Sequence, residues 1–153
     1  MSYGIAFVER KPGQSWEEAM DDLEERAAGP DILTRPPEWD LVVTRVRELL
    51  GDVSVTENPP TWEIVHMPTA IQARCISREW SLSVPYWSEG DAARSVAERL
   101  RAISEIVEAA TGLQAYDTQV GSAVLSEEWA AEQTASVFDD MANFFRKRGF
   151  LRR

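Results

Sequence analysis

The chain has 153 residues, 44% of them hydrophobic, which is enough to form one domain with an ordinary core. Its 26 acidic and 16 basic residues give a formal net charge of −10, which disfavours binding to phosphate backbones and hence to nucleic acids. No apolar run approaches the roughly 18 residues of a membrane helix, and no signal peptide is recognisable. We therefore expect a single cytoplasmic domain over residues 1–153, in which the lone Cys75 stays reduced.

The first third of the chain is predicted to form a strand and two helices. Residues 3–8 are mostly apolar and read as a buried strand. Ser15 begins a helix, because Glu18 three residues later completes a capping box. The apolar stripe of this helix consists of Trp16, Ala19, Met20, Leu23 and Ala27. A second helix is predicted over residues 38–50, with its stripe formed by Trp39, Val42, Val43, Val46, Leu49 and Leu50.

Three strands are predicted after a polar segment. Residues 52–61 include Asn58-Pro59-Pro60 and are expected to be mostly loop and the most mobile part of the chain. Strands are predicted over residues 62–67, 70–76 and 80–86. The turns between them fall at Pro68-Thr69 and at Ser77-Arg78-Glu79, the second of which lacks Gly or Asn.

The region from Ser81 to Gln119 is the most informative part of the sequence. It predicts a strand, a long amphipathic helix over about residues 91–111 and a short strand over 113–116, that is, a βαβ unit. Ser126 is expected to cap a last helix. The element order predicts an α+β fold with a mainly antiparallel sheet of about five strands and helices packed on one face. This is a ferredoxin-like variant with extra helices, in which residues 1–121 form the core and 122–153 a C-terminal helix.

Three short motifs of this sequence carry a resemblance to known proteins. They are the opening residues 2–8, the strand Leu82-Ser83-Val84-Pro85-Tyr86-Trp87 and the segment Tyr116-Asp117-Thr118-Gln119. They resemble a loose group of uncharacterised small bacterial proteins with a Val-Pro-Tyr-Trp strand and a Tyr-Asp-x-Gln motif. The group usually has proline where Thr118 stands here. The resemblance covers roughly residues 2–121 and implies the fold and a bacterial origin. Because the group has no established activity, no catalytic residue is transferred.

A catalytic Cys–His pair is not expected. If Pro68-Thr69 is a tight turn, the only histidine, His66, pairs with Ile71, whereas Cys75 pairs with Trp62. The two side chains are then roughly 13 Å apart at about 3.3 Å per residue. Cys75 is more simply a small buried hydrophobic residue.

The sequence offers little to a metal or a cofactor. One His and one Cys leave only carboxylates as ligands, and the neighbouring acids Glu127-Glu128 and Asp139-Asp140 point in different directions on a helix. The glycines do not cluster into a phosphate loop or a dinucleotide fingerprint. We predict no catalytic residue, no metal site and no cofactor.

The distribution of acidic residues is uneven. Six acids lie between Glu17 and Glu25, and residues 102–145 contain eight acids and no Lys or Arg. Solvated helix faces explain such runs, and an acidic surface that steers a basic partner is the alternative. An aromatic pair, Tyr86 and Trp87, at a strand end suits either a protein interface or a lid over the core. In the Tyr116-Asp117-Thr118-Gln119 segment, Asp117 either caps a turn or contacts a ligand.

These features lead to a hypothesis of function. The chain is predicted to be a non-enzymatic bacterial protein-binding module, most concretely a toxin-neutralising immunity protein whose acidic, aromatic-containing surface binds a basic toxin. The predicted partner-binding residues are Glu18, Asp22, Glu25, Tyr86, Trp87, Tyr116, Asp117 and Gln119. The first alternative is a small-molecule binder or enzyme that uses the Tyr116–Gln119 loop. The second is a structural subunit of a larger assembly, docked by its C-terminal helix.

Overall fold

The computed structural model describes residues 2–85, 90–119 and 121–125, which form three helices and a seven-stranded sheet. The elements are β1 (Ser2–Val8), α1 (Trp16–Ala27), α2 (Trp39–Leu50), β2 (Ser54–Asn58), β3 (Thr61–His66), β4 (Ile71–Ile76), β5 (Glu79–Pro85), α3 (Gly90–Thr111), β6 (Gln114–Asp117) and β7 (Ser122–Ala123). The strand order is β2-β3-β4-β5-β1-β6-β7, and all neighbours are antiparallel. The predicted α+β class is confirmed. The C-terminal helix predicted to begin at Ser126 lies outside the described residues.

β1 is the strand on which the sheet is organised. It pairs with β5 on one side and with β6 on the other, both antiparallel. β5 and β6 are therefore parallel to each other, and such a pair needs a crossover connection, which α3 provides. This split βαβ arrangement is the feature shared with ferredoxin-like folds. β2, β3 and β4 extend the sheet beyond β5 as a meander.

The core lies on one face of the sheet, because side chains alternate between faces along each strand. Tyr3, Ile5 and Phe7 of β1 are each at most 2% exposed. The same cluster includes alternate residues of β3, β4 and β5, together with buried residues of α2 and α3. The indole rings of Trp39 in α2 and Trp80 in β5 lie 5.7 Å apart, which joins helix to sheet. Full burial of an apolar side chain such as Ile5 or Phe7 stabilises the fold by about 1.5–3 kcal/mol.

β2 corrects the prediction that residues 52–61 are mostly loop. It is an edge strand that pairs along its whole length with β3, so the sheet exceeds the expected five strands. Only Val55 of its five residues is not fully exposed, so no alternation marked it as a strand. Arg35 stabilises this edge, since its guanidinium donates to both oxygens of Asp40 at 2.7 and 2.8 Å and to Glu57 at 2.6 Å. These hydrogen bonds lower the pKa of both carboxyl groups.

The helices begin and end close to their predicted bounds, but their apolar stripes are buried only in part. In α1 only Ala19 is fully buried, and Ala27 is exposed. In α2 Leu49, which was predicted to lie on the apolar stripe, is 44% exposed. A stripe defined by spacing is wider than the strip of helix that contacts the sheet. None of these three helices is long and apolar enough to cross a membrane.

The predicted capping box at the start of α1 is confirmed and can be tested. The Glu18 N–H donates to Ser15 Oγ at 3.1 Å, and the Ser15 N–H donates to Glu18 Oε1 at 3.4 Å. Ser15→Ala removes the acceptor and should lower the free energy of unfolding by about 1 kcal/mol in urea denaturation. Ser15→Asp, which keeps an acceptor, should restore most of this loss. Equal unfolding midpoints for the wild type and Ser15→Ala would contradict the assignment.

Candidate interaction surface

α1 presents a strongly acidic surface. It contains six acids and a single base, Arg26, among twelve residues. The two acids of the first turn, Glu17 and Glu18, favour the helix because they lie near the positive end of its dipole. The remaining acids have no such local role in the helix. Much of the charge on α1 is therefore unexplained by the stability of the helix itself.

The acids of α1 fall into two groups with different surroundings. Two of the predicted partner-binding residues are used within the fold, because Glu18 completes the capping box and Asp22 accepts from Gln14 Nε2 at 2.7 Å. The side chains of a second group are exposed and form no hydrogen bond or ion pair with other described residues. This group is Glu17, Asp21, Glu24 and Glu25, which lie at helical spacing. The acids free to meet a partner are thus largely the neighbours of those predicted.

An aromatic stack joins α1 to β6. The rings of Trp16 and Tyr116 lie 4.6 Å apart and within 11° of parallel. The guanidinium of Arg10 lies over the Trp16 ring, 4.1 Å from its centroid. Because the strand neighbours of Tyr116 are buried in the core, its own side chain lies on the opposite face of β6. Trp16, which was predicted to lie on the apolar stripe of α1, is half-buried in this stack and is not part of the core cluster.

The segment after β6 is a turn organised by Asp117. This residue is fully buried, its Oδ1 accepts from the Gln119 N–H at 2.9 Å, and its carbonyl accepts from the Gly121 N–H at 2.8 Å. Asp117 therefore holds the turn that leads into β7, as the structural interpretation of the motif anticipated. Thr118 and Gln119 are exposed beside Tyr116. A partner at this loop would meet those side chains rather than the carboxylate of Asp117.

Two of the three predicted groups of partner-binding residues, the acids of α1 and the Tyr116–Gln119 loop, lie close together in the structure. Trp16 links the acidic helix to the Tyr116–Gln119 loop, which is about a hundred residues away in sequence. Tyr86 and Trp87 lie outside the described residues. We use the term α1 surface for the exposed acids Glu17, Asp21, Glu24 and Glu25 together with the Trp16–Tyr116 stack.

The predicted register of the hairpin formed by β3 and β4 is confirmed. His66 pairs with Ile71 and Cys75 with Trp62, which separates the histidine from the thiol along the hairpin. Burial raises the pKa of Cys75 to about 12, so the thiol stays protonated at neutral pH. The Nδ1 atom of His66 is hydrogen-bonded to Thr69 Oγ1 at 2.6 Å.

Carboxylates do not gather into a metal site within the described part of the chain. No group of three or more His, Cys, Asp or Glu side chains there could hold an ion. The acids of α1 are spread along the helix and project outward. The neighbouring acids Glu127-Glu128 and Asp139-Asp140, which were not expected to form ligand pairs, lie outside the described residues.

Comparisons of this chain with protein-family models, with curated proteins and with solved structures find no match. The resemblance to the group of small bacterial proteins therefore stays a prediction. Function has to be argued from the α1 surface and from the remaining features of the fold.

The Trp16–Tyr116 stack can be tested by a double-mutant cycle. Trp16→Leu and Tyr116→Leu, alone and together, should reveal a favourable coupling of about 0.5–1.5 kcal/mol, because offset aromatic stacking adds to the burial of area. The measurement is urea denaturation of the four proteins. Arg10→Gln should lower the free energy of unfolding by about 0.5–1 kcal/mol in the protein that retains Trp16, and should have no such effect in the Trp16→Leu variant. Strictly additive effects would show that the rings do not interact.

His66 should make the stability of the protein depend on pH. Burial, assisted by the positive charge of Arg99, lowers its pKa below the ordinary 6.5. The neutral form is favoured by folding, so stability should be fully present above about pH 6.5 and be lost as the pH falls. His66→Gln should remove this loss. Unfolding free energies of both proteins between about pH 7.5 and pH 5.5 measure the difference, which cannot exceed about 1.4 kcal/mol per pH unit. Parallel pH profiles would contradict the assignment.

Proposed function

We propose that this protein is a non-enzymatic binding module that recognises a protein partner with a basic surface through its α1 surface. The observation that carries the proposal is the Trp16–Tyr116 stack, which places a partly exposed aromatic pair directly beside acids without partners among the described residues. Aromatic residues of this kind are favoured anchors of protein interfaces. Charge and anchor lie on one continuous surface.

The charges of α1 support a partner of opposite sign. Glu17 and Asp21, like Asp21 and Glu25, are spaced four residues apart, and like charges at this spacing destabilise a helix by about 0.2–0.5 kcal/mol per pair. A basic partner removes this repulsion when it binds. It is also attracted over long distances, which increases the rate of association. A basic partner would therefore associate faster with the α1 surface and would relieve the repulsion between its acids.

The most concrete version of the proposal is a toxin-neutralising immunity protein. In this version the acidic helix covers a basic site of a toxin, and the aromatic stack anchors the complex after electrostatic steering. The net charge of −10 favours such a partner over nucleic acid.

The Tyr116–Gln119 loop offers less support for a small-molecule site or an enzyme. Asp117, the residue of this loop that was considered for contact with a ligand, is fully buried and holds the turn. Two clefts lined by described residues are formed instead around Glu9 and Arg26, and neither includes a residue of this loop. We therefore retain protein binding as the proposed function.

Charge reversal tests the proposal. The α1 variant carries Glu17→Lys, Asp21→Lys and Glu24→Lys. The matched control carries Glu48→Lys, Asp52→Lys and Glu105→Lys, which are exposed acids of α2, of the turn after it and of α3. Each variant raises the net charge of −10 by six, two for each reversal. Tagged proteins are expressed in the source bacterium, and co-purifying proteins are quantified by mass spectrometry at about 0.05 M and about 0.3 M salt.

We expect one stoichiometric partner with a basic surface, retained by the wild type and the control and reduced at least tenfold in the α1 variant and at high salt. Circular dichroism and urea denaturation should confirm that both variants are folded. Equal capture by all three proteins would overturn the role of the α1 surface. For the immunity version, expression of the captured partner alone should arrest growth, and only the wild type and the control should restore it. A harmless partner would exclude that version and leave protein binding in place.

A further inference from the structure

A second feature of the molecule is a cleft of about 420 Å³ on the other side of α1 from its outermost acids. Its walls are the second half of α1, the segment after it and the tight turn between β4 and β5, and the end of β1 and Leu113 complete it. Small-molecule sites in proteins are about 300–1,000 Å³ in volume. The cleft is therefore large enough for a small ligand, and neither the charge pattern nor the motifs of the sequence indicated it.

One wall of the cleft is held in place by hydrogen bonds between segments distant in sequence. The Ile32 N–H donates to Ser77 Oγ at 3.1 Å, and this hydroxyl donates to Asp31 at 3.3 Å. Arg78 Nη2 donates to Thr34 Oγ1 at 3.1 Å. The segment after α1 is thereby fastened to the turn between β4 and β5. The wall belongs to the folded structure and is not a loosely attached loop.

The turn between β4 and β5 has an unusual backbone. Ser77 and Arg78, its two central residues, have φ values of +49° and +69°, and they connect the paired residues Ile76 and Glu79. Two-residue turns of this kind normally use Asn-Gly, because most side chains disfavour positive φ. Backbone strain held by surrounding contacts is frequent at ligand sites. Here it aims Arg78 and Glu79 at the same cleft.

The lining of the cleft combines an apolar floor with balanced charges. Leu23, Ile32 and Leu113 provide apolar surface. The charged residues are two acids and two bases, namely Glu9, Glu79, Arg26 and Arg78. This balance contrasts with the α1 surface, where acids predominate. A ligand that matches the cleft carries both signs of charge and an apolar group.

Glu79 is the least satisfied residue of the cleft. Its Oε1 atom is buried and has no hydrogen-bond partner among the described residues. Burial raises its pKa, and the charge of Arg26 offsets this in part. A buried acceptor without a donor is costly, which makes it a candidate to receive one from a ligand. The terminal torsion of a Glu side chain is broad and roughly two-fold, so rotation about it can turn this oxygen toward the cleft.

We propose that this cleft binds a small zwitterion with an apolar side chain, the chemical class of the free hydrophobic α-amino acids. The ammonium group of the ligand donates to Glu79, and its carboxylate accepts from Arg26 and Arg78. Its side chain packs on Leu23, Ile32 and Leu113. Arg26 already forms an ion pair with Glu9 at 3.6 Å, and Arg78 donates to Thr34 Oγ1. Because a guanidinium has five N–H donors, each arginine retains donors for the carboxylate of the ligand. This site is separate from the α1 surface and goes beyond the proposed protein binding.

The test uses L-leucine, L-phenylalanine and two truncated analogues of leucine. Isoamylamine lacks the carboxylate, and 4-methylpentanoate lacks the ammonium. Binding to the wild-type protein is followed by NMR shifts of the Leu23 and Leu113 methyl groups, with ligand up to about 10 mM, ten times a Kd of about 1 mM. We expect one or both amino acids to bind and each analogue to bind at least tenfold more weakly than leucine or not at all. No binding of either amino acid, or an analogue as strong as leucine, would overturn the proposal.

Glu79→Gln separates a ligand role from a structural one. The amide removes a charge that burial disfavours, so this variant should unfold at a higher urea concentration than the wild type at pH 7. It should nevertheless bind the amino acid about tenfold more weakly or worse, because the charged pair with the ammonium is lost. Glu48→Gln, an exposed acid of α2 outside both the cleft and the α1 surface, is the matched control and should change neither quantity. Unchanged binding by Glu79→Gln would overturn the role of this residue.

Discussion

The position of β1 between β5 and β6 is the constraint on which the rest of the structure depends. β1 is hydrogen-bonded to β5 on one side and to β6 on the other, so it joins the two parts of the sheet. Its core-facing side chains are almost completely buried. Since β5 and β6 are both antiparallel to it, α3 has to cross over the sheet. The end of β1 leads into α1, and its partner β6 carries Tyr116. The same pairing therefore builds the core and brings Trp16 to its stacking partner.

Much of the fold could be predicted where local pattern and turn length agree. The hairpin of β3 and β4 is the clearest case, because a short turn fixes the register and the register sets the positions of His66 and Cys75. The capping box at Ser15 was predictable for a similar reason, since its donors and acceptors lie within four residues. β2 could not be predicted in this way. It is an exposed edge strand that forms because its backbone hydrogen-bonds to β3. Its own polar sequence does not indicate that a strand lies beside it.

The two proposed binding surfaces were less predictable because they depend on contacts between distant segments. The helical spacing of Trp16 correctly placed it on the inner side of α1, but spacing does not tell whether a core or a single aromatic ring lies opposite. Tyr116 was singled out as part of a short motif at a strand end, and its contact with Trp16 could be seen only in the folded structure. Glu79 showed no signal at all in the sequence. Its buried oxygen, the arginine beside it and the strained turn before it are visible only in three dimensions.

The two sides of α1 explain why this helix is only weakly buried. Its outer acids repel one another and contribute nothing to the core, while Leu23 and Arg26 line the cleft instead of packing closely. A helix selected for stability alone would lose these features, since exposed charge pairs and apolar contacts are easily improved by substitution. Function offers a reason to keep them. Because both proposed sites share α1, a shift of the helix on binding one ligand would change the affinity for the other, and the two binding free energies would be coupled by the same factor in both directions. In that case occupancy of the cleft would alter the strength with which the α1 surface holds its partner.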